Sequence, residues 1–229
     1  VPLLRWYLVY RALVRAKVAC IRAEQPGQTA ADRSTEQADC RDHIKLASRL
    51  TQPGEPRLWI THGASGSGKT VGSQLVVQRC GAIRLRSDME RKRKFGLLPA
   101  QRPDRELKTR IYSHATSRAV YDLLRQRAQD LLRSGFSVVV DATFLLHSQR
   151  DAFGLLAQQE RVPFAILNFH VDRATLKQRL AERMKLGTDA SDADAEVLQS
   201  QLLSLQPLTR AELQLVVEIP ESVSEATVL

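Results

Sequence analysis

The stretch Gly63-Ala64-Ser65-Gly66-Ser67-Gly68-Lys69-Thr70 fits the phosphate-binding pattern Gly-x-x-x-x-Gly-Lys-[Ser/Thr]. The apolar run Leu58-Trp59-Ile60 comes just before it, and Val71, Leu75 and Val76 follow it at helical spacing. Glycines let successive backbone N–H groups turn inward around phosphate oxygens, because no Cβ stands in the way. The stretch therefore predicts a phosphate-binding loop between a strand and a helix.

Two side chains of this loop would act on the ligand directly. Lys69 can reach the β- and γ-phosphate oxygens of a nucleoside triphosphate. The hydroxyl of Thr70 can ligate Mg²⁺ at the start of the helix, where the helix dipole also favours anions. We therefore assign residues 63–70 to binding of the nucleotide and Thr70 to binding of the metal.

The fold class follows from the pattern beyond residue 57, where short apolar runs alternate with longer helical stretches. Strands are predicted near 57–62, 82–86, 136–140, 164–170 and 213–218. Helices are predicted near 68–80, 105–134, 147–161, 173–187 and 192–205. This pattern is typical of an α/β three-layer sandwich with a mostly parallel five-stranded sheet and helices on both faces.

The remaining segments suggest a division of the chain into two parts. Residues 1–50 are predicted to form an N-terminal helical segment, with a linker at 25–35 and a second short helix at about 36–50. Residues 51–229 would form the phosphate-loop domain. Within it, residues 89–104 contain Gly96, Pro99 and Pro103, which favours a mobile loop over the site.

Composition excludes several other classes of protein. No apolar run approaches the roughly 20 residues of a membrane helix, and basic residues interrupt the most apolar stretch, residues 1–21. The three cysteines are far apart and form no Cys-x-x-Cys pair, which argues against a disulfide framework and a zinc site. We therefore expect a cytoplasmic protein that does not act at a membrane.

The positive charge of the chain is unevenly distributed. The formal net charge is +9, and residues 84–110 alone carry ten Lys or Arg against four Asp or Glu. We define the basic cluster as Arg84, Arg86, Arg91, Lys92, Arg93 and Lys94. It would suit a phosphorylated substrate, a nucleic acid backbone or merely a solvated loop.

The predicted second strand runs directly into Ser87-Asp88-Met89-Glu90-Arg91. Parallel strands deliver their carboxyl ends to the ligand crevice of an open α/β sheet. A carboxylate placed there can accept the proton of an attacking hydroxyl, and an arginine three residues later can hold an acceptor or a phosphate. Asp88 is therefore a candidate general base, although an Asp at this position could equally cap a helix.

Another candidate acid ends the predicted third strand, Phe136-Ser137-Val138-Val139-Val140-Asp141. Phosphate-loop enzymes place a carboxylate that holds Mg²⁺ or its waters at this position, so Asp141 is a candidate metal ligand. Thr143 and Arg150 follow, and either could line an acceptor pocket. Arginine at the position of Arg150 is more often a surface residue.

Two arginines follow the predicted fourth strand. Asp172 is a good N-cap, and Arg179 and Arg183 lie one turn apart on the same helical face. They could close over the β- and γ-phosphates as a lid and neutralise charge in the transition state. The alternative is an exposed helix. The histidines show no metal-ligand spacing, and His62 beside the loop is interpreted as a packing or turn residue.

The order of these motifs resembles a family. The phosphate loop, the element Ser87-Asp88-x-x-Arg91, the strand ending at Asp141 and the Arg179/Arg183 helix together resemble bacterial P-loop kinases of the AAA-family ATPases, relatives of polynucleotide kinase and zeta toxin. The resemblance implies ATP as the nucleotide, Asp88 as general base, an Arg91 that touches the acceptor, and lid roles for Arg179 and Arg183.

In one bacterial group such a kinase follows an aminoglycoside-phosphotransferase-like domain, whose last helix resembles residues 10–18. The resemblance thus implies covalent fusion to such a domain. The expected function is transfer of the γ-phosphoryl group of Mg-ATP to a hydroxyl of a small molecule. The alternatives are a 5′-hydroxyl polynucleotide kinase and a nucleotide-dependent regulatory ATPase without a small acceptor.

Overall fold

The computed structural model describes residues 3–52, 54–176, 178–179 and 195–219. Contacts between Cα atoms divide the chain into two compact units, Val1–Gly54 and Glu55–Leu229. Among the helices of the described ranges, none has both the length and the hydropathy that a membrane span requires.

The first unit is a pair of helices, α1 (Leu4–Ala23) and α2 (Ala30–Thr51). Small side chains allow them to pack, with Ala16 and Ala19 of α1 against Cys40 of α2. The prediction of a linker at 25–35 is wrong for residues 30–35, which belong to α2. Thr29 and Asp32 form a reciprocal capping box, which starts α2 at residue 30.

The second unit is built on a five-stranded sheet in the order β2-β3-β1-β4-β5. Its strands are β1 (Leu58–His62), β2 (Ile83–Arg86), β3 (Val138–Asp141), β4 (Phe164–Asn168) and β5 (Val216–Glu218). Every neighbouring pair is parallel. The predicted fold class is confirmed, and the sheet is wholly rather than mostly parallel.

Helices cover both faces of this sheet. They are α3 (Lys69–Cys80), α4 (Ser87–Lys94), α5 (Arg105–Ile111), α6 (His114–Arg133), α7 (His147–Glu160), α8 (Ala195–Ser204) and α9 (Arg210–Leu213). Val76 of α3 packs with Val139 and Leu167 on one face. Because side chains alternate along a strand, Val138 and Val140 point to the opposite face, where α6 and α7 contact the sheet.

Two predictions about helices need correction. The long helix expected at 105–134 is divided at Tyr112, because Ser113 caps α6 by accepting a hydrogen bond from the backbone N–H of Thr116 at 3.2 Å. The expected mobile loop at 89–104 begins as a helix, since α4 extends to Lys94. The Lys92 ammonium then donates to the carbonyl oxygens of Pro99 and Gln101 at 2.9 and 2.8 Å, which ties down the chain after the helix.

The order of the strands locates a ligand crevice. From β1 the chain passes to β2 and β3 on one side, and then crosses β1 to reach β4 on the other. Such a reversal opens a crevice outside the carboxyl ends of the strands on either side of it, here β1 and β3. The phosphate loop follows β1, and Asp141 ends β3, so both reach this crevice.

Candidate functional site

The phosphate loop depends on glycine at positions where the backbone is left-handed. Gly63, Gly66 and Gly68 have φ values of 144°, 89° and 91°. At Gly63 a Cβ atom would also lie 2.6 Å from the carbonyl oxygen of Phe169. Gly68 is the N-cap of α3, so the loop leads directly into the helix and its free N–H groups.

Lys69 is the first residue of α3 and is buried. Its ammonium donates to the carbonyl oxygen of Ala64 at 2.5 Å and to the hydroxyl of Ser67 at 3.4 Å. Both partners belong to the loop, so these contacts hold the cation against the predicted phosphate site.

A cavity of about 240 Å³ opens at this loop. Its lining residues are Ser65, Gly66, Gly68, Lys69, Thr70, Val71, Ser87, Asp88, Asp141, Ala142, Thr143 and Arg179. The fold thus brings together residues predicted from four separate segments of the sequence. Arg183, the second arginine of the predicted lid, lies outside the described residues.

Asp141 and Thr70 fit a magnesium site of the kind that nucleotide-binding proteins use. Both line the same cavity, and the hydroxyl of Ser73 donates to Asp141 Oδ2 at 3.1 Å. In the described part of the chain no three His, Cys, Asp or Glu residues cluster as a metal cage. Mg²⁺ does not need one, because it is commonly held by one or two protein groups together with phosphate oxygens and waters.

Burial raises the pKa of Asp141 above that of an ordinary aspartate, and the negative charge of Asp88 acts in the same direction. Lys69, Arg86 and the hydrogen bond from Ser73 oppose this rise without cancelling it. Since a metal ligand must be deprotonated, a bound cation would compete with the proton at this carboxylate.

Asp88 is the second residue of α4, and Arg86 holds its carboxylate by two hydrogen bonds. Arg86 Nε donates to Oδ1 at 3.1 Å and Nη2 donates to Oδ2 at 2.6 Å, while the N–H of Met89 donates to Oδ1 at 2.8 Å. Asp88 is therefore not the N-cap of this helix, a position that Arg86 occupies. These hydrogen bonds occupy Oδ1 twice and Oδ2 once, which leaves lone pairs on Oδ2 for a further donor.

A second cavity of about 380 Å³ adjoins the first. Both cavities are lined by Ser65, Ser87, Asp88 and Thr143, so these residues form a common wall. The rest of its lining combines charged side chains, Arg91 and Glu196, with apolar and uncharged polar ones. The apolar residues are Leu145, Leu146 and Val197, and the polar ones include Tyr112, Ser117, Tyr121, Gln149, Ser200 and Gln201. Its volume is in the range typical of sites for small molecules.

Arg91 lies on the wall of this second cavity, as the sequence predicts for a group that holds the acceptor. Its Nη1 donates to the carbonyl oxygen of Ile111 at 2.8 Å and to the hydroxyl of Ser117 at 3.1 Å, and its guanidinium lies 5.1 Å from the ring centre of Tyr112. All three partners are uncharged. The guanidinium is thus anchored in place while its positive charge is not paired with a carboxylate of the described residues.

The basic cluster is turned largely towards the protein. Arg84 contacts α3, Arg86 pairs with Asp88, and Lys92 is bound to two carbonyl groups. Arg93 pairs with Glu90 at 2.7 Å, and Arg91 is anchored as described above. Five of the six cations therefore have internal partners, and the interpretation of this segment as a solvated basic loop is wrong.

Thr143 and Arg150, left open by the sequence, have different positions. Thr143 lines both cavities, and its hydroxyl lies 3.3 Å from the hydroxyl of the buried Tyr121. Arg150 lines neither cavity and is 1% exposed, bound to Glu212 and to carbonyl groups of the neighbouring loops. It is therefore not a surface residue.

Two contributors to the site were missed from sequence, Ser73 and Gln201. The hydroxyl of Ser73 donates to Asp141 Oδ2, and Gln201 Oε1 accepts a hydrogen bond from the N–H of Ser65 at 2.9 Å. An isolated serine or glutamine carries no motif, so no local signal could have identified them. Arg84, which the sequence placed only in the basic cluster, contacts the carbonyl oxygen of Thr70. His62, by contrast, bonds to Asn168 and lines neither cavity, and burial lowers its pKa.

Solved structures with a similar fold include a gluconokinase from Sinorhizobium meliloti, with a TM-score of 0.52 and 21% identity over 76% of this chain and 89% of that one. A sugar kinase from Janibacter sp. has a TM-score of 0.55 and 19% identity over 76% of this chain and 90% of that one. These values show a shared P-loop kinase-like fold.

Curated relatives include uncharacterized proteins from Mycobacterium tuberculosis and Mycobacterium bovis, which are 34% identical to this chain over 141 residues. The match covers 61% of this chain but only 27% of each relative, so the chain spans about a quarter of their length. Residues 58–208 match the model of a family described as an AAA domain. That match covers more than half of the chain and includes both cavities, and the chain therefore belongs to this AAA-domain family.

Proposed function

We propose that the second unit is a phosphotransferase that moves the γ-phosphoryl group of Mg-ATP to a hydroxyl of a small molecule. The observation that supports this most directly is the common wall of the two cavities. The phosphate-loop cavity and the second cavity meet at Asp88, a carboxylate with an accessible oxygen. The fold of solved kinases is consistent with the proposal.

In this reaction each half of the site has a separate task. Lys69 and the loop N–H groups bind the β- and γ-phosphates, and Thr70 and Asp141 hold Mg²⁺, which would neutralise phosphate charge. Asp88 Oδ2 accepts the proton of the acceptor hydroxyl. The hydroxyl oxygen then bonds to the γ-phosphorus while the bond to the bridging oxygen breaks, and ADP leaves. Arg179 and Arg183 stabilise the transferred charge.

Arg91 would hold the acceptor beside Asp88 in the second cavity. Asp88 and Arg91 lie three residues apart on α4, so they project from the same side of that helix. Because the guanidinium is anchored by Ile111 and Ser117, it would keep its position when the acceptor enters. This arrangement supports the role that the family resemblance implies for Arg91.

The partial burial of most of the basic cluster favours a small acceptor over a polynucleotide, since only Arg93 and Lys94 are exposed. A nucleic acid backbone needs several cations exposed along one face. Of the cluster, only Lys94 shows no internal partner in the described structure. A regulatory ATPase without an acceptor would have no use for the second cavity.

The test is incubation of the protein with γ-labelled ATP and Mg²⁺ in three pools, of metabolites and sugars, of antibiotics, and of 5′-hydroxyl oligonucleotides. Mass analysis then identifies what has gained a phosphoryl group. We expect a phosphorylated small molecule and no labelled oligonucleotide, and no label transfer with Lys69→Ala. A labelled oligonucleotide whose formation falls steeply with salt would contradict the small-molecule assignment. ATP hydrolysis that only a protein partner accelerates would contradict phosphotransfer itself.

A further inference from the structure

A series of hydrogen bonds through Arg84 and Ser73 connects Thr70 and Asp141, the two predicted magnesium ligands. Arg84 Nη1 donates to the carbonyl oxygen of Thr70 at 2.9 Å and to the hydroxyl oxygen of Ser73 at 3.3 Å. The Ser73 hydroxyl lies 3.1 Å from Thr70 O and 3.1 Å from Asp141 Oδ2. Ser73 is completely buried, so water does not compete at its hydroxyl.

The neighbours of Ser73 favour one of two acceptors for its proton. A hydroxyl has one proton, and Thr70 O and Asp141 Oδ2 lie at the same distance of 3.1 Å. Arg84 already donates to Thr70 O and also to the oxygen of Ser73. This leaves the carboxylate of Asp141 as the better acceptor, and its hydrogen bond is the stronger one when the carboxylate is ionised. The positive charge of Arg84 polarises the Ser73 hydroxyl further towards Asp141.

This bond fixes one oxygen of Asp141 and leaves the other to the cavity. Within the described residues, the hydrogen bond of Asp141 is made by Oδ2. Oδ1 then remains for a water of hydrated Mg²⁺, while Thr70 is held at its backbone by the same arginine. The main chain of one ligand and the carboxylate of the other are thus linked through a single guanidinium.

We propose that Arg84 and Ser73 are positioning residues of the magnesium site, which set the orientation of Thr70 and Asp141 and thereby the affinity for Mg-nucleotide. The inference rests on the proposed function, because it takes those two residues as the metal ligands. Neither Arg84 nor Ser73 would touch the nucleotide or the metal.

The experiment measures nucleotide binding rather than activity. The dissociation constant of adenylyl imidodiphosphate is determined by calorimetry in excess MgCl₂ and again in excess EDTA. The constant in EDTA divided by the constant in MgCl₂ reports the coupling between metal and nucleotide. The variants are Ser73→Ala, Arg84→Gln and Arg84→Lys. Arg79→Gln is the matched control, since it removes a cation from the last turn of α3, away from the site.

We expect Ser73→Ala and Arg84→Gln to reduce this ratio about tenfold, as removal of groups that orient metal ligands commonly does. Affinity in EDTA should stay within about twofold of the unaltered protein, and Arg84→Lys should recover part of the ratio. Thermal unfolding of each variant verifies that it is folded.

Ratios for Ser73→Ala and Arg84→Gln that equal that of Arg79→Gln would overturn the inference, as would an equal loss of affinity in EDTA and in MgCl₂. A ratio near one for the unaltered protein would overturn both the inference and the assigned metal ligands. If the ratio responds as expected while no acceptor is ever phosphorylated, the proposed phosphotransfer fails and the positioning role stands.

Discussion

Two arginine–carboxylate pairs at the same end of the sheet have opposite surroundings. The Arg86–Asp88 pair lines the wall between two cavities, with side chains 19% and 20% exposed. The Arg150–Glu212 pair lies behind the loop that follows β3, with exposures of 0% and 11%. In both, an arginine donates two hydrogen bonds to one carboxylate.

The difference lies in what else each arginine contacts. Arg150 also donates to the carbonyl oxygens of Phe144, Leu145, Gln206 and Pro207, so it joins three segments of the chain. Arg86 instead leaves its carboxylate open to the cavities. The same kind of ion pair can therefore stabilise the fold or orient a reactive group, depending on whether its carboxylate is accessible.

The largest effect is expected at the accessible carboxylate. Asp88→Asn removes the proton acceptor and should lower kcat of phosphotransfer by about 10²–10⁴-fold. Nucleotide affinity and thermal stability should change little, because the amide retains the size of the carboxylate. Steady-state kinetics and calorimetry check this, with the exposed Asp122→Asn on α6 as control. An active Asp88→Asn variant would show that Asp88 is not the base.

Disruption of the buried Arg150–Glu212 pair should lower the free energy of unfolding. Arg150→Met leaves Glu212 without its main partner, and breaking a buried pair costs about 3–5 kcal/mol of the free energy of unfolding. Urea denaturation measures this loss, and Arg118→Met on the exposed side of α6 serves as the control. A change no larger than that of the control would mean that Arg150 does not fasten these segments.

The pH dependence of the free energy of unfolding should report the ionisation of Glu212. Burial opposes ionisation of Glu212, but hydrogen bonds from Arg150, the N–H of Thr209 and His147 outweigh it and lower the pKa to about 2 from 4.5. Its stabilising contribution is therefore fully present above pH 4.5 and is lost as the pH falls towards 2. We expect the difference in unfolding free energy between the unaltered protein and Glu212→Gln to shrink over this interval. A difference that stays constant would contradict the lowered pKa.

The smallest effect is expected at Arg86. Arg86→Met leaves Asp88 held by the N–H of Met89, so the carboxylate persists but is less well oriented. We expect kcat to fall about tenfold, which corresponds to about 1.4 kcal/mol in the activation barrier. The free energy of unfolding should change by no more than about 1 kcal/mol, as for other accessible pairs. A stability loss as large as that of Arg150→Met would make the two pairs equivalent and would remove the contrast between them.

Much of the nucleotide half could be predicted from sequence because its chemistry is local. Gly63 to Thr70 form their site through backbone conformation within eight consecutive residues, and Asp88 and Asp141 each follow a recognisable strand. The carboxyl ends of parallel strands meet at one edge, so the approximate meeting of these residues also follows from the pattern. The division of the helix at Tyr112 was missed, since a single capping serine is a weak signal.

Glycine spacing and apolar periodicity act over short distances along the chain, so they are enough to predict the fold class, the phosphate loop and the two carboxylates. The roles of most arginines depend instead on the tertiary structure. Arg84, Arg86 and Arg150 look alike in sequence, yet they contact the start of α3, orient Asp88 and bind Glu212. Long side chains take their roles from partners up to 62 residues away, and such partners meet only when the sheet and its helices assemble.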